Sequence, residues 1–313
     1  MKYLLLCRLP YPLRQIINHV AGSWRKMKNR SWNSRLEDIR NILIYNHPVC
    51  QVPRATGKLR LLQDGNTVLL ALFAQKCREH DLRCWLDYGT LLGAVRHKGF
   101  IPWDDDLDVS MMRPDYDRLL ELLPELFPLE EGFTWKRHAF LQIGYEGTPL
   151  NIDVYPYHFY AESLASPDQH DCLDRRLTAF KKDVVLVDGR MNMTDEQIQQ
   201  KIRQEILVGR DPAPEDDKPG IFLSPAITFT KNTHLPYEVF FPLDTMEFEG
   251  YRFFVPNHAR QYLQFFYGDY MSYPECVRLQ HPSVQHMMEH VPFETVVNRF
   301  IDLYGKKTRP GHS

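Results

Sequence analysis

The spacing of apolar and polar positions changes several times along the chain, and each change marks an element. Val68, Leu69, Leu72 and Phe73 recur at helical spacing and predict a helix over 64–80. Residues 83–88 (RCWLDY) read as a strand, broken by Gly89-Thr90. A short helix follows over 91–96, and Pro102 stops any continuation. Leu107, Val109 and Met111 then alternate with Asp106, Asp108 and Ser110, the period of a strand. Residues 140–145 and 150–155 form a hairpin around Glu146-Gly147. The order helix, strand, helix, strand, hairpin predicts an α/β (α+β) fold with a mixed sheet over residues 61–160.

The texture changes near residue 161. Segments 170–182 and 194–207 have helical spacing, and 209–220 (GRDPAPEDDKPG) reads as a loop from its prolines and charges. Residues 244–255 alternate like a hairpin with Glu249-Gly250 at its turn. Residues 257–267 predict a helix capped by Asn257 and stopped by Gly268. Residues 161–313 are therefore expected to form a helical and hairpin region packed on the core.

Residues 1–60 read as a basic helical appendage. Between 8 and 40 stand Arg8, Arg14, Arg25, Lys26, Lys28, Arg30, Arg35 and Arg40, opposed only by Glu37 and Asp38. Leu13, Ile16, Ile17, Val20 and Trp24 interleave at helical spacing, which suits peripheral contact with an anionic membrane surface. No apolar run approaches the roughly 18 residues needed to span a bilayer, so the expected location is cytoplasmic, peripheral at the inner membrane face. The net charge of −2 gives no general case for nucleic acid. The six cysteines form no CxxC and read as reduced thiols.

The chemistry concentrates in Trp103-Asp104-Asp105-Asp106-Leu107-Asp108. Like charges this close repel, so a fold keeps them only if something offsets them. A strand would turn Asp106 and Asp108 to one face, and Asp153, in Asn151-Ile152-Asp153-Val154-Tyr155, offers a third carboxylate from a neighbouring strand. All-oxygen ligands suit Mg²⁺ (or Mn²⁺). Gly89-Thr90 opens a helix whose free N–H groups suit a phosphate. Arg96, His97 and Lys98, just before the acidic loop, are candidate contacts to donor phosphates, and Asp104 to the loop or the metal. Asp104, Asp105 and Asp108 also match a DDxxD spacing, but that motif needs a helix, which Pro102 and the strand alternation oppose. A DxD pair occurs in metal-dependent glycosyltransferases as well.

The stretch 88–108 (YGTLLGAVRHKGFIPWDDDLD) resembles the signature of the LicD family, and 151–156 and 241–271 are similar to its later segments. These are phosphocholine transferases of lipopolysaccharide and teichoic acid, related to fukutin-type sugar phosphotransferases. The resemblance implies a nucleotidyltransferase-like core, with Gly89-Thr90 as the turn, Asp106 and Asp108 as the metal pair and Asp153 as third ligand and general base. It implies transfer of phosphocholine from CDP-choline, or of another CDP-linked phospho-group (ethanolamine, glycerol or ribitol phosphate), to a glycan or glycolipid hydroxyl. Tyr88, Trp103, Tyr155 and Tyr157 are aromatic candidates near the head group. One departure is visible: relatives often read FPLD where this chain reads Tyr155-Pro156-Tyr157-His158, so the last acid is absent.

Overall fold

The computed structural model describes residues 48–137, 140–160, 167–184, 193–206, 221–223, 234–273, 282–290 and 292–308. In chain order the elements are α1 (Gly57–Glu79), β1 (Cys84–Leu86), α2 (Tyr88–His97), β2 (Asp108–Met112), α3 (Arg113–Leu126), β3 (Phe133–Arg137), β4 (Leu141–Tyr145) and β5 (Asn151–Tyr160). Then come α4 (Pro167–Val184), α5 (Asp195–Lys201) running into a π turn at Ile202–Ile206, β6 (Ile221–Leu223), β7 (His234–Pro236) and α6 (Tyr237–Phe240). The chain continues with β8 (Asp244–Phe248), β9 (Tyr251–Val255), α7 (Ala259–Tyr267), α8 (Pro282–His290) and α9 (Phe293–Thr308).

The sheet order is β1-β2-β5-β4-β3, with β6 added to β5 and β7 to β6. β2 and β5 are its parallel pair; β1–β2, β5–β4 and β4–β3 are antiparallel. Parallel neighbours need a crossover, here supplied by α3, β3 and β4. β8 and β9 form a separate hairpin. The fold is thus the α+β arrangement expected from the sequence, with a mixed sheet and helices.

One hydrophobic core runs from Val49 to Tyr304. α1 buries Leu62, Leu69, Leu70 and Phe73 in it, and α9 packs on α1 with Phe293, Val297, Phe300 and Tyr304 buried. Each such side chain contributes about 1.5–3 kcal/mol by leaving water. α4 packs on the π turn, with Leu173, Leu177, Phe180, Ile202 and Ile206 buried.

The structure corrects several local expectations. β2 begins at Asp108, so Asp106 precedes the strand rather than sharing a face of it with Asp108. Asn257 does not cap α7; its amide donates to the Glu238 carbonyl at 3.1 Å, and His258 precedes the helix. β5 continues past residue 155 to Tyr160. α3, α8 and α9 add helices that the pattern reading left out. The basic segment 8–40 and the loop 209–220 lie outside the described residues.

Candidate active site

The site lies where β1, α2, β2 and β5 meet. Asp108 and Asp153 are direct partners in the parallel register of β2 and β5. The Asp153 N–H donates to the Leu107 carbonyl at 2.8 Å, which fixes that register beside the acidic loop. Asp108 is held by α2: its Oδ2 accepts from the Gly89 N–H at 3.2 Å, and its own N–H donates to Thr90 Oγ1 at 2.8 Å. The N-terminus of α2 is therefore already engaged by carboxylates, since Tyr88 N–H donates to Asp87 Oδ1 at 2.8 Å. The sequence reading offered Gly89 and Thr90 to a phosphate; the structure uses them to seat Asp108, whose charge the helix dipole favours. A Cβ at Gly89 would stand 3.1 Å from Asp104 Oδ2, so a larger residue there would push that carboxylate aside by a few tenths of an ångström.

Carboxylate oxygens of Asp104, Asp105 and Asp106 lie within 4.8 Å of one another. Asp105 is buried. It was not singled out in the sequence, although its place in the DDD run was the available signal. The loop backbone is pinned from α1: Gln63 Nε2 donates to the Asp104 carbonyl at 2.9 Å, and Asn66 Nδ2 to the Asp105 carbonyl at 3.2 Å. Burial, followed by the charges of Asp106 and Asp105, pushes the Asp104 carboxyl well above its usual range. Burial, then Asp106, Asp153, Asp104 and Asp87, does the same to Asp108. Five acids with this mutual repulsion and an oxygen-only donor set fit a hard divalent cation, which would offset both effects. Asp153 Oδ1 accepts from Gln142 Nε2 at 2.8 Å, an orienting contact from β4.

The basic candidates are arranged differently from the acids. Arg96 is buried, with Nη1 donating to the Tyr270 carbonyl at 2.8 Å and Nε to His97 Nε2 at 2.9 Å. It ties α2 to the turn after α7. Burial and then Arg96 push the His97 pKa down to about 4, so this imidazole is neutral at pH 7. Lys98 is exposed and closes α2 in the left-handed region at φ 54°, at the helix end opposite Gly89.

Three buried side chains to which the sequence reading gave no part in the site support it. Asp87 is fully buried and accepts from Ser110 Oγ at 2.5 Å, from the Tyr157 hydroxyl at 2.8 Å and from the Tyr262 hydroxyl. Its N–H donates to the Asp108 carbonyl at 3.0 Å. Glu249, at the β8–β9 turn, accepts from Arg60, from Arg54 at 3.1 Å and from the Phe100 N–H at 3.1 Å. Glu249 also fills the space beside Gly99, where any Cβ would collide with it. His158, at the position of the absent family acid, is buried; burial, then Arg113 and Arg203, push its pKa down to about 3. Tyr157 is consumed by Asp87 and is fully buried, which removes it from the aromatic candidates.

The nucleotidyltransferase domain described as LicD/FKTN/FKRP matches residues 81–192, a span holding β1, α2, the acidic loop, β2 and Asp153. Residues 81–192 are a LicD-family nucleotidyltransferase domain. Beyond it, the chain is 26% identical over 239 residues to the lipopolysaccharide cholinephosphotransferase LicD of Haemophilus influenzae, covering 66% of this chain and 88% of that protein. It is 34% identical over 84 residues to the human ribitol 5-phosphate transferase FKRP, and 28% identical over 129 residues to the mouse ribitol-5-phosphate transferase FKTN. Those two matches cover 25% and 37% of this chain but only 17% and 28% of the relatives. The LicD signature 88–108 thus coincides with the segment whose backbone seats Asp108 and gathers Asp104, Asp105 and Asp106.

Proposed function

We propose that this protein is a metal-dependent phosphotransferase that moves a phospho-linked head group from a CDP-linked donor to a sugar hydroxyl of a cell-surface glycan or glycolipid. The observation that carries the reading is the registered pair Asp108–Asp153 beside the clustered Asp104, Asp105 and Asp106, within a LicD-family domain. The similarity to the LicD cholinephosphotransferase supports phosphotransfer, and the ribitol phosphate transferases support the same chemistry with another head group.

Asp106, Asp108 and Asp153 would hold Mg²⁺ or Mn²⁺, with Asp104 and Asp105 at hand. Bound there, a divalent cation supplies charge neutralisation for the diphosphate and lowers the pKa of an acceptor hydroxyl. Asp153 is the base that takes the acceptor proton, oriented by Gln142 at 2.8 Å. The Gly89 amide and the Thr90 hydroxyl keep Asp108 fixed throughout. Gln63 and Asn66 keep the acidic loop from relaxing away from its own repulsion. The phosphorus moves with its head group, and CMP leaves. Among the described residues no helix is long and apolar enough to cross a membrane. A glycolipid acceptor would then be met from one side of a bilayer, with residues 8–40 as the contact.

The test is CMP release from CDP-choline, CDP-ethanolamine, CDP-glycerol and CDP-ribitol, with and without Mg²⁺, using a crude glycolipid extract as acceptor. Metal-dependent release that disappears in Asp106→Ala is expected. Folded protein that binds Mg²⁺ yet releases no CMP from any donor would remove the CDP-linked reading.

A further inference from the structure

We propose that a cavity on the face of the sheet opposite the acids binds a single-chain anionic amphiphile, an aliphatic chain ending in a carboxylate or a comparable anion. The cavity is separate from the acidic centre, and its ligand would be bound whether or not the protein transfers a phospho-group.

The cavity has a volume of about 280 Å³, at the lower edge of the roughly 300–1,000 Å³ usual for small-ligand pockets. Leu70 and Ala74 line it from α1, Leu86 from β1, Val109 from β2 and Phe253 from β9. Leu86 and Val109 are register partners, so their side chains share one face of the sheet, while Asp108 and Ser110 flank Val109 on the other. The space has a structural origin. β1 is the edge strand of the sheet, and β9 lies against it without joining its ladder, because β8 and β9 form a sheet of their own. Strands that are not hydrogen-bonded do not close to the roughly 4.8 Å of a ladder. Protein interiors keep few voids larger than a water molecule, so an apolar space of this size is suited to holding a guest.

The charges around it have one sign. Arg78, near the end of α1, and Arg252, on β9, are exposed where they border the cavity, and no Asp or Glu lines it. Arg252 is oriented there: its Nη2 donates to Oγ1 of Thr245, another lining residue, at 2.7 Å. Among the described residues neither guanidinium is in an ion pair, although Glu247 faces Arg252 in the hairpin register. An apolar interior takes a chain, and two guanidiniums at its border take an anionic head. A bilayer surface is met by exposed apolar side chains. Here the lining hydrophobic residues are buried except Phe254, which is 36% exposed, so a free molecule that threads its chain inward fits better than a membrane.

The experiment is calorimetric titration of the full chain with decanoate, decanol and decyltrimethylammonium, each below its micellar concentration, in wild type, Arg78→Gln, Arg252→Gln and Ala74→Phe. Decanoate is expected to bind once per chain and about tenfold tighter than decanol, as charge-assisted hydrogen bonds at the head require. Decyltrimethylammonium should give no binding. Each Gln variant should weaken decanoate about fivefold and leave decanol unchanged, and Ala74→Phe, which fills the cavity, should abolish both. Circular dichroism checks that Ala74→Phe is folded; if it is not, the two surface Gln variants decide. Absence of decanoate binding, equal affinity for decanol, or affinity untouched by the variants would overturn the assignment. So would Arg252-dependent capture of phosphatidylglycerol vesicles by a protein that ignores decanoate, which would give these arginines to a membrane surface.

Discussion

Two acidic sites of this protein are built on opposite terms. Glu249 is one carboxylate among donors: Arg60, Arg54 and the Phe100 amide converge on it. Burial works against its charge, but these partners outweigh burial and hold its pKa below the usual range. Asp104 and Asp108 are half-buried among further carboxylates, and desolvation and repulsion together push their pKa values well up. The first arrangement stabilises the fold. The second strains it, and α1, α2 and β5 hold the strained groups in place through backbone and side-chain bonds. A cluster that costs stability is the one expected to be kept for chemistry, as the proposed function requires of the acids.

The contrast breaks most sharply at Asp108. Asp108→Asn should lower CMP release by about 10²–10³-fold, of the order lost with other transition-state charge stabilisers, while raising the melting temperature of the metal-free protein. A drop in both would show that Asp108 is structural. Glu249→Gln should do the reverse to stability. It leaves Arg60 facing a neutral group and should cost about 2–3 kcal/mol in urea unfolding, below the full value for a buried pair because Arg54 is 61% exposed. Asp87→Asn should cost about 1–3 kcal/mol, since its amide would face the donor hydroxyls of Ser110 and Tyr157.

The two sites also respond to pH with opposite sign. Glu249 has a folded pKa below its usual 4.5, so its contribution is complete above that value and is lost as pH falls through the folded pKa. Asp104 and Asp108 have folded pKa values above their usual 3.8, so they destabilise progressively as pH rises from 3.8 towards those values. Urea melts from pH 4 upward should show a descending limb in EDTA that Mg²⁺ flattens. A limb indifferent to Mg²⁺ would separate the acids from metal binding. The smallest effect is at Lys98, which adopts φ 54°; Lys98→Gly should stabilise by about 0.5 kcal/mol in the same assay.

What could be read from sequence was local. The alternation of Leu107, Val109 and Met111 was enough for β2, and Glu249-Gly250 for the hairpin turn. The start of β2 was misjudged because period alone extends a strand to Asp106, whereas the ladder begins where β5 can pair. α3 was missed because Pro114 and Pro124 interrupt it, yet Tyr116, Leu119, Leu123 and Leu126 carry helical spacing and are all buried. The acids stood out as a run. Their supports did not: Asp87 meets Tyr157 and Tyr262 across 70 and 175 residues, separations that no periodicity encodes. Arg96 and Lys98 were drawn towards phosphate by proximity in sequence, while the helix carries one into a backbone bond with Tyr270 and the other to the surface.

The reach of Glu249 also sets a timetable for synthesis. Its partners Arg60 and Phe100 precede it by 189 and 149 residues. At about 5–20 residues per second, a ribosome takes roughly 10–40 s between making Arg60 and making the glutamate that clamps it. From the moment Asp153 is made until Glu249 follows, the nascent chain carries every acid of the cluster but lacks the latch on the segment leading into it. The acidic loop is thus made early and locked late, and the emerging polypeptide acquires its finished site only after the hairpin near its far end has left the exit tunnel.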